Sequence, residues 1–274
     1  MKFSTALLEN IIGKITAKEL DFLICIMRYQ NEYGIIKGID YKTICNEIKI
    51  HKSTFYSILH SLEQKRIIWI DWNDYEKPYK LFWTLKILNN SFADAEERKQ
   101  GYIKLNIPLL YSKDFLKLTK NEKYICLKVL ALYRTNRSAI PLRYETIMEW
   151  TKSTLQSIKK YVASIKSIFK DIIINKHTIL IIFKKDTLKS EKAEVTTYRE
   201  HIINYITKAY KLNEPKKIID EVIALFKQYN DVNINIIITA IIKSIKQQGA
   251  LIPQYINTMI NKIKYGEEIS LERI

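Results

Sequence analysis

Apolar positions follow two registers along the first two-thirds of the chain: a 3.6-residue period that marks amphipathic helices, and short apolar or alternating runs that mark strands. Leu20, Leu23, Ile24 and Met27 share one helical face and are expected in a core. Thr16 and Glu19 precede them at the spacing of a capping box, in which a hydroxyl and a carboxylate satisfy the orphan amides of a helix start. The pattern then recurs. Ile15-Thr16-Ala17-Lys18-Glu19 followed by LDFLICIMRY is matched by Leu118-Thr119-Lys120-Asn121-Glu122 followed by KYICLKVLALY, an offset of 103. In this second copy Ile125, Val129 and Leu132 form the core face. Tyr41-Lys42-Thr43-Ile44 matches Tyr144-Glu145-Thr146-Ile147 at the same offset, and Lys52-Ser53-Thr54-Phe55 matches Lys152-Ser153-Thr154-Leu155 at 100. The smaller offset implies a turn three residues shorter in the second copy.

Each copy therefore predicts the same series of elements. After a long helix comes a short one, over 41–48 or 144–150, then a polar turn and a third helix N-capped by Ser53 or Ser153. In the first copy this helix, 53–65, buries Phe55, Leu59 and Leu62 and turns Thr54, Tyr56, Ser57 and His60 outward. In the second, 153–168, it buries Leu155, Ile158, Val162 and Ile165 and presents Thr154, Gln156, Ser157, Lys159 and Lys160. Strand pairs follow, 66–71 with 80–87 and 171–174 with 178–183, around turns containing Asn73, Asp74 and Pro78 or Asn175, Lys176 and His177. Helix, turn, capped helix and β-hairpin is the winged helix-turn-helix plan.

The expected fold is mainly α with small β-hairpin wings: two tandem winged helix-turn-helix domains, 1–90 and 102–186, then a helical bundle over 197–274. Residues 91–101 and 187–196 are polar, lack apolar period and read as linkers. In the bundle, Tyr198, Ile202, Tyr205, Ile206 and Ala209 make one face, and Ile218, Val222, Leu225 and Phe226 another. Ile234–Gln247 is its buried centre, ended by Gly249 and followed by a helix allowed to begin at Pro253.

Charge adds a partner. The chain carries 45 Lys+Arg against 29 Asp+Glu, a net +16, which suits a polyanion because each phosphate neutralised releases condensed counterions. A basic solvated surface would account for the total alone, but its distribution is uneven. Residues 1–95 hold +2, residues 96–195 hold +11 with 21 basic against 10 acidic groups, and residues 196–274 hold +3. Double-stranded DNA is the expected partner, anchored on the second copy, while the first contributes base-edge or protein contacts. The side chains assigned to DNA are Lys49, His51, Lys52, Ser53, Thr54, Tyr56, Ser57, His60, Lys77 and Lys80 in the first copy. Lys152, Ser153, Thr154, Gln156, Ser157, Lys159, Lys160, Lys176 and His177 are their counterparts in the second. Trp72 and Tyr75 at the first wing tip are candidates for sugar and backbone contact, whereas Trp69, Trp83 and Trp150 are assigned to packing.

Enzymatic chemistry finds no support. The four histidines, His51, His60, His177 and His201, lack metal-ligand spacing, and no phosphate-cradling glycine loop occurs among six glycines. The paired histidines of a rolling-circle nuclease and the His-x-x-Arg of a tyrosine recombinase are missing. No cofactor and no metal are expected. Cys25, Cys45 and Cys126 form no CxxC pair and indicate neither a disulfide framework nor zinc. Glu9 and Asn10 interrupt what would be a signal peptide's apolar region, and no run reaches the roughly 18 apolar residues of a membrane span. A cytoplasmic location with no membrane partner is expected.

The segment GYIKLNIPLL from Gly101 to Leu110, followed by KLTKNEK and a long helix, resembles the opening of the winged helix in plasmid replication initiators and in DnaD-type replication proteins of Gram-positive bacteria. GALIPQYINTMI from Gly249 to Ile260 is similar in style to the end of the DnaD C-terminal domain. The resemblance implies site recognition during replication of a plasmid, phage or other mobile element. It also implies a C-terminal bundle that recruits replication proteins or self-associates; a homodimer interface and a plain domain core are alternative readings of its Ile-rich helix. A transcriptional regulator on an operator, with transcription proteins as partners, is a rival role. An architectural or partition-complex protein is a third.

Overall fold

The computed structural model describes residues 2–39, 41–71, 84–93, 96, 99, 101–104, 107–110, 112–133, 139–183, 198–229 and 234–264. Residues 1–195 pack as one unit and 196–274 as a second. The first unit begins with β1 (Lys2–Ser4), α1 (Thr5–Ile11), α2 (Ala17–Met27), β2 (Ile35–Lys37), α3 (Tyr41–Ile48), α4 (Lys52–Gln64), β3 (Ile68–Asp71) and β4 (Thr84–Ile87). It continues with β5 (Tyr102–Lys104), α5 (Ile107–Leu110), α6 (Lys113–Lys117), α7 (Lys120–Leu132), β6 (Ala139–Arg143), α8 (Tyr144–Thr151), α9 (Leu155–Ile165), β7 (Asp171–Ile174) and β8 (Thr178–Ile182).

The protein is mainly helical, with tandem winged helices built on one plan. Each copy carries a three-stranded antiparallel sheet of the same topology, β2-β4-β3 in the first and β6-β8-β7 in the second. The third strands, β2 and β6, are additions to the elements that the sequence predicts. One is only three residues long, and the other contains Pro141, which lacks a donor but is tolerated because β6 lies at a sheet edge. Both capping boxes form: the Thr16 amide donates to Glu19 at 2.6 Å and the Thr119 amide to Glu122 at 2.7 Å.

The register across the turns, the helix caps and several core positions differ from the expectation. The short helix of each copy leads into a left-handed turn residue, Lys49 (φ 53°) or Lys152 (φ 50°), so the offset of 103 continues through the turn. The third helices start at Lys52 and Leu155, again 103 apart, and their buried residues Phe55, Leu59 and Leu62 correspond to Ile158, Val162 and Ile165. The second turn is not shortened, and the Lys-Ser-Thr match at 100 does not join equivalent positions. Neither Ser53 nor Ser153 is the N-cap: His51 occupies that position in the first copy without a side-chain cap, and Thr154 caps the second. Leu155, expected in the core, is 42% exposed in the outward first turn of α9. Leu132 at the end of α7 and Trp69 on β3 are also exposed. The first wing begins at Ile68 because Arg66 adopts φ 54° between α4 and β3. The second hairpin runs 171–174 with 178–182, close to the expected bounds.

The two copies share one continuous hydrophobic core running from Phe3 to Phe183. Strand β1 pairs antiparallel with β5, Phe3 opposite Ile103, so the first residues of the chain close onto the start of the second copy. Phe92, in the segment read as a linker, is buried and meets Tyr102 edge-on at 5.7 Å between ring centroids. Buried Asn90 accepts the Ser4 amide at 2.8 Å and donates to Gln30 at 2.6 Å. Across the copies the Lys123 ammonium, 1% exposed, reaches both Asp21 oxygens at 2.7 and 2.9 Å. Lys128 pairs with Glu9 and lies over the Trp150 ring, which is half-buried against the core.

The second unit holds α10 (Tyr198–Ala209), α11 (Lys216–Gln228), α12 (Ile234–Gln248) and α13 (Pro253–Lys264). Ile237, Ile238, Ile241, Ile242 and Ile245 of α12 are buried within it. Ala209, expected on an apolar face, is exposed at the end of α10. Gly249 (φ 69°) donates to the Ile245 carbonyl and ends α12, and Pro253 opens α13. Buried Ser244 donates to the Ala250 carbonyl at 2.8 Å and accepts from Ile252 at 3.0 Å, fixing the connection between them. Among the described residues no helix is long and apolar enough to cross a membrane.

Candidate nucleic-acid interface

In the first copy, α3, the Lys49 turn and α4 expose one outward surface. Phe55, Ile58, Leu59 and Leu62 anchor α4 to the core, which forces the intervening positions toward solvent. His51, Lys52, Ser53, Tyr56, Ser57 and His60 are exposed, as is Lys49, while Thr54 is half-buried. Lys52 lies 5.2 Å above the ring of Tyr41, and Tyr41 and Tyr56 are 6.5 Å apart between centroids. The surface is thus aromatic and hydroxylic with few charges. Lys77 and Lys80, with Trp72, Tyr75 and Trp83, lie outside the described residues. On the described wing, register places exposed Trp69 opposite exposed Lys86, with Ile35 beyond it on the same sheet face.

A carboxylate behind the surface holds α4 in place. Glu19 accepts from Lys65 at 2.6 and 2.8 Å and from the Ser61 hydroxyl at 2.6 Å, while also closing the capping box of α2. Burial works to raise its pKa, but the hydrogen bonds from Lys65, Ser61 and the Thr16 amide outweigh it and hold the carboxyl below the usual range. A depressed folded pKa gives stability that is present above the unfolded value, near 4.3, and lost as pH falls through the folded value. Glu19→Gln is expected to flatten the pH dependence of the melting temperature between about pH 5 and 3, where the parent loses stability steeply. Equal slopes in the two proteins would show that Glu19 does not carry this acid sensitivity.

The second copy differs in chemistry. At the common offset Leu155, Gln156, Lys159, Lys160 and Ala163 replace Lys52, Ser53, Tyr56, Ser57 and His60. The hydroxyls assigned to DNA are largely engaged within the chain. Thr154 accepts the Ser157 amide at 3.4 Å and lies 3.1 Å from the Ser157 hydroxyl, and Ser153 donates to the Thr151 carbonyl at 3.2 Å and accepts from Asn121. Lys152, Gln156, Lys159 and Lys160 are exposed, and among the described residues no ion pair or side-chain hydrogen bond occupies them. No acidic residue lies on α9. Lys176 and His177 form the exposed tip of the second hairpin, closed by the Asn175 amide donating to the Thr178 carbonyl at 2.8 Å. Ile173 and Ile174 are exposed beside it.

Most of the described side chains assigned to DNA are thus exposed, and so are Leu155 and Trp69, which the sequence pattern assigns to packing. The offset of 103, carried forward over the turn, would have assigned Leu155 to the outward position of Lys52. Among the described residues no group of three His, Cys, Asp or Glu side chains is arranged to hold a metal. Comparison of the chain with protein-family models, with curated proteins and with solved structures finds no match in any of the three.

Proposed function

We propose that the protein binds double-stranded DNA through both winged helices of one chain, with α4 and α9 entering the major groove, and that it acts by binding rather than turnover. The observation that carries this is the outer face of α9. Lys159 and Lys160 extend from it with no acidic partner among the described residues, with Lys152 and Lys176 on the flanking turn and wing. Exposed ammonium groups on a helix held out by its own hydrophobic face suit backbone phosphates and gain from counterion release. The nearly neutral first copy, with its Tyr41, Tyr56 and Lys52 cluster, supplies contacts that depend less on salt. The biological role is site recognition in the replication of a plasmid or other mobile element, as the resemblance of residues 101–123 and 249–260 implies. The C-terminal unit recruits a replication partner. Replacing Lys159 and Lys160 together with Ala is expected to lower the slope of log affinity against log salt by about 2, one unit for each phosphate that no lysine then neutralises. Fluorescence anisotropy on a labelled duplex at several salt concentrations measures it, and an unchanged slope would remove α9 as the anchor.

A further inference from the structure

We infer that the second copy reads A·T base pairs directly, with Leu155 packing on a thymine methyl and Gln156 pairing with an adenine edge. The inference rests on the DNA-binding reading above and adds what the helix recognises. Leu155 is the only exposed aliphatic residue among the outward positions of the first turn of α9, where the first copy has the charged Lys52. Leu155 is 42% exposed on a helix whose Ile158, Val162 and Ile165 already fill the core, so much of its aliphatic surface is left for a partner. A single leucine also falls short of the several hundred Å² that a protein-docking patch presents, and its neighbours are polar or charged. Its position is informative. Leu155 and Lys159 are four residues apart, as are Gln156 and Lys160, so each uncharged side chain is stacked one helical turn from a lysine able to reach phosphate. The hydroxyls of Ser153, Thr154 and Ser157 take part in capping and turn bonds, whereas the Gln156 amide makes no such bond among the described residues. In the major groove a glutamine amide matches the adenine N6 and N7 pair, and thymine alone offers a methyl group.

Uracil tests this, because it is thymine without that methyl. Duplexes enriched from a random-sequence pool by the full chain would be resynthesised with single thymines replaced by deoxyuridine. The parent is expected to lose about fourfold in affinity at one or two positions, the ratio for withdrawing one methyl-sized group from contact. Leu155→Ala should bind the thymine and uracil duplexes equally, and Gln156→Ala should lose about tenfold and relax preference at the adjacent adenine. Both residues are exposed, so both variants should keep the parent's melting temperature, and this is measured alongside. If the parent binds duplexes with a normal salt slope but is blind to the uracil substitutions, or if Leu155→Ala still distinguishes them, the inference fails and the DNA-binding reading stands. If no duplex is enriched or bound, both fail together.

Discussion

Replacing Lys123 with Ala is expected to destabilise the first unit by about 3 to 5 kcal/mol, the range observed when one partner of a buried ion pair is removed. Its ammonium is enclosed by the Asp21 carboxylate, the Leu116 carbonyl at 3.3 Å and the face of Phe115. Truncation leaves Asp21, whose side chain is 19% exposed, without its counter-ion. Burial already pushes the Asp21 carboxyl above its ordinary range, against the lowering by Lys123, so in the variant it rises further. A raised folded pKa gives stability that is present at low pH and lost as pH rises, so the defect should be larger at pH 7 than at pH 4. With roughly 2 to 4 °C per kcal/mol for a unit of this size, the melting transition of residues 1–195 should fall by about 6 to 20 °C at neutral pH. Asp21→Asn combined with Lys123→Met should recover most of the loss, because an uncharged pair carries no unpaired charge into the interior. A Lys123→Ala variant that melts with the parent at pH 7 would show that the ion pair does not join the copies.

Gly34→Ala should cost about 3 kcal/mol, and Gly13→Ala only about 1. Both glycines have nearly the same left-handed backbone, φ 73° and 70°, so both variants carry the roughly 1 to 2 kcal/mol conformational penalty of an L-residue there. They differ in surroundings. A β-carbon on Gly34 would lie 2.9 Å from the Ile87 carbonyl oxygen and 3.0 Å from that of Asn90, whereas one on Gly13 meets nothing within 4 Å. Both obstacles are backbone. The Ile87 amide also donates to the Gly34 carbonyl at 2.8 Å, so the β2-β4 ladder must shift to admit the methyl. Chemical denaturation of the two variants side by side isolates the steric part. Equal losses would mean that the close approach is relieved at little cost.

The architecture was largely legible because helices and hairpins announce themselves locally. Thr16 with Glu19 and Thr119 with Glu122 mark two helix starts in the sequence itself, and the burial of Phe55, Leu59 and Leu62 follows from their spacing. The short strands β2 and β6 were not legible, since strands of three to five residues become strands by pairing with β4 and β8 far along the chain. The same holds for β1 and β5. On the candidate interface the Lys-Ser-Thr match at an offset of 100 is a coincidence that competes with the register of 103 set by capping, periodicity and Tyr41 against Tyr144. The turn residues Lys49 and Lys152 fix that register through their backbone, and a string of letters does not display backbone angles. The committed state of Ser153, Thr154 and Ser157 was likewise invisible, because it depends on which neighbour each hydroxyl meets.

The pairing of β1 with β5 bears on how the chain is made. Phe3 and the Ser4 amide find their partners at Ile103 and Asn90, so the first strand emerges from the ribosome well before the strand it pairs with. At roughly 5 to 20 residues per second, about 100 residues of delay leaves that strand waiting for on the order of 5 to 20 s. During synthesis the leading copy is therefore expected to complete its packing only once the trailing copy arrives. The same strand, when chains are crowded, has an identical acceptor on every neighbouring molecule, and exchange of β1 between chains is the misassembly this topology invites.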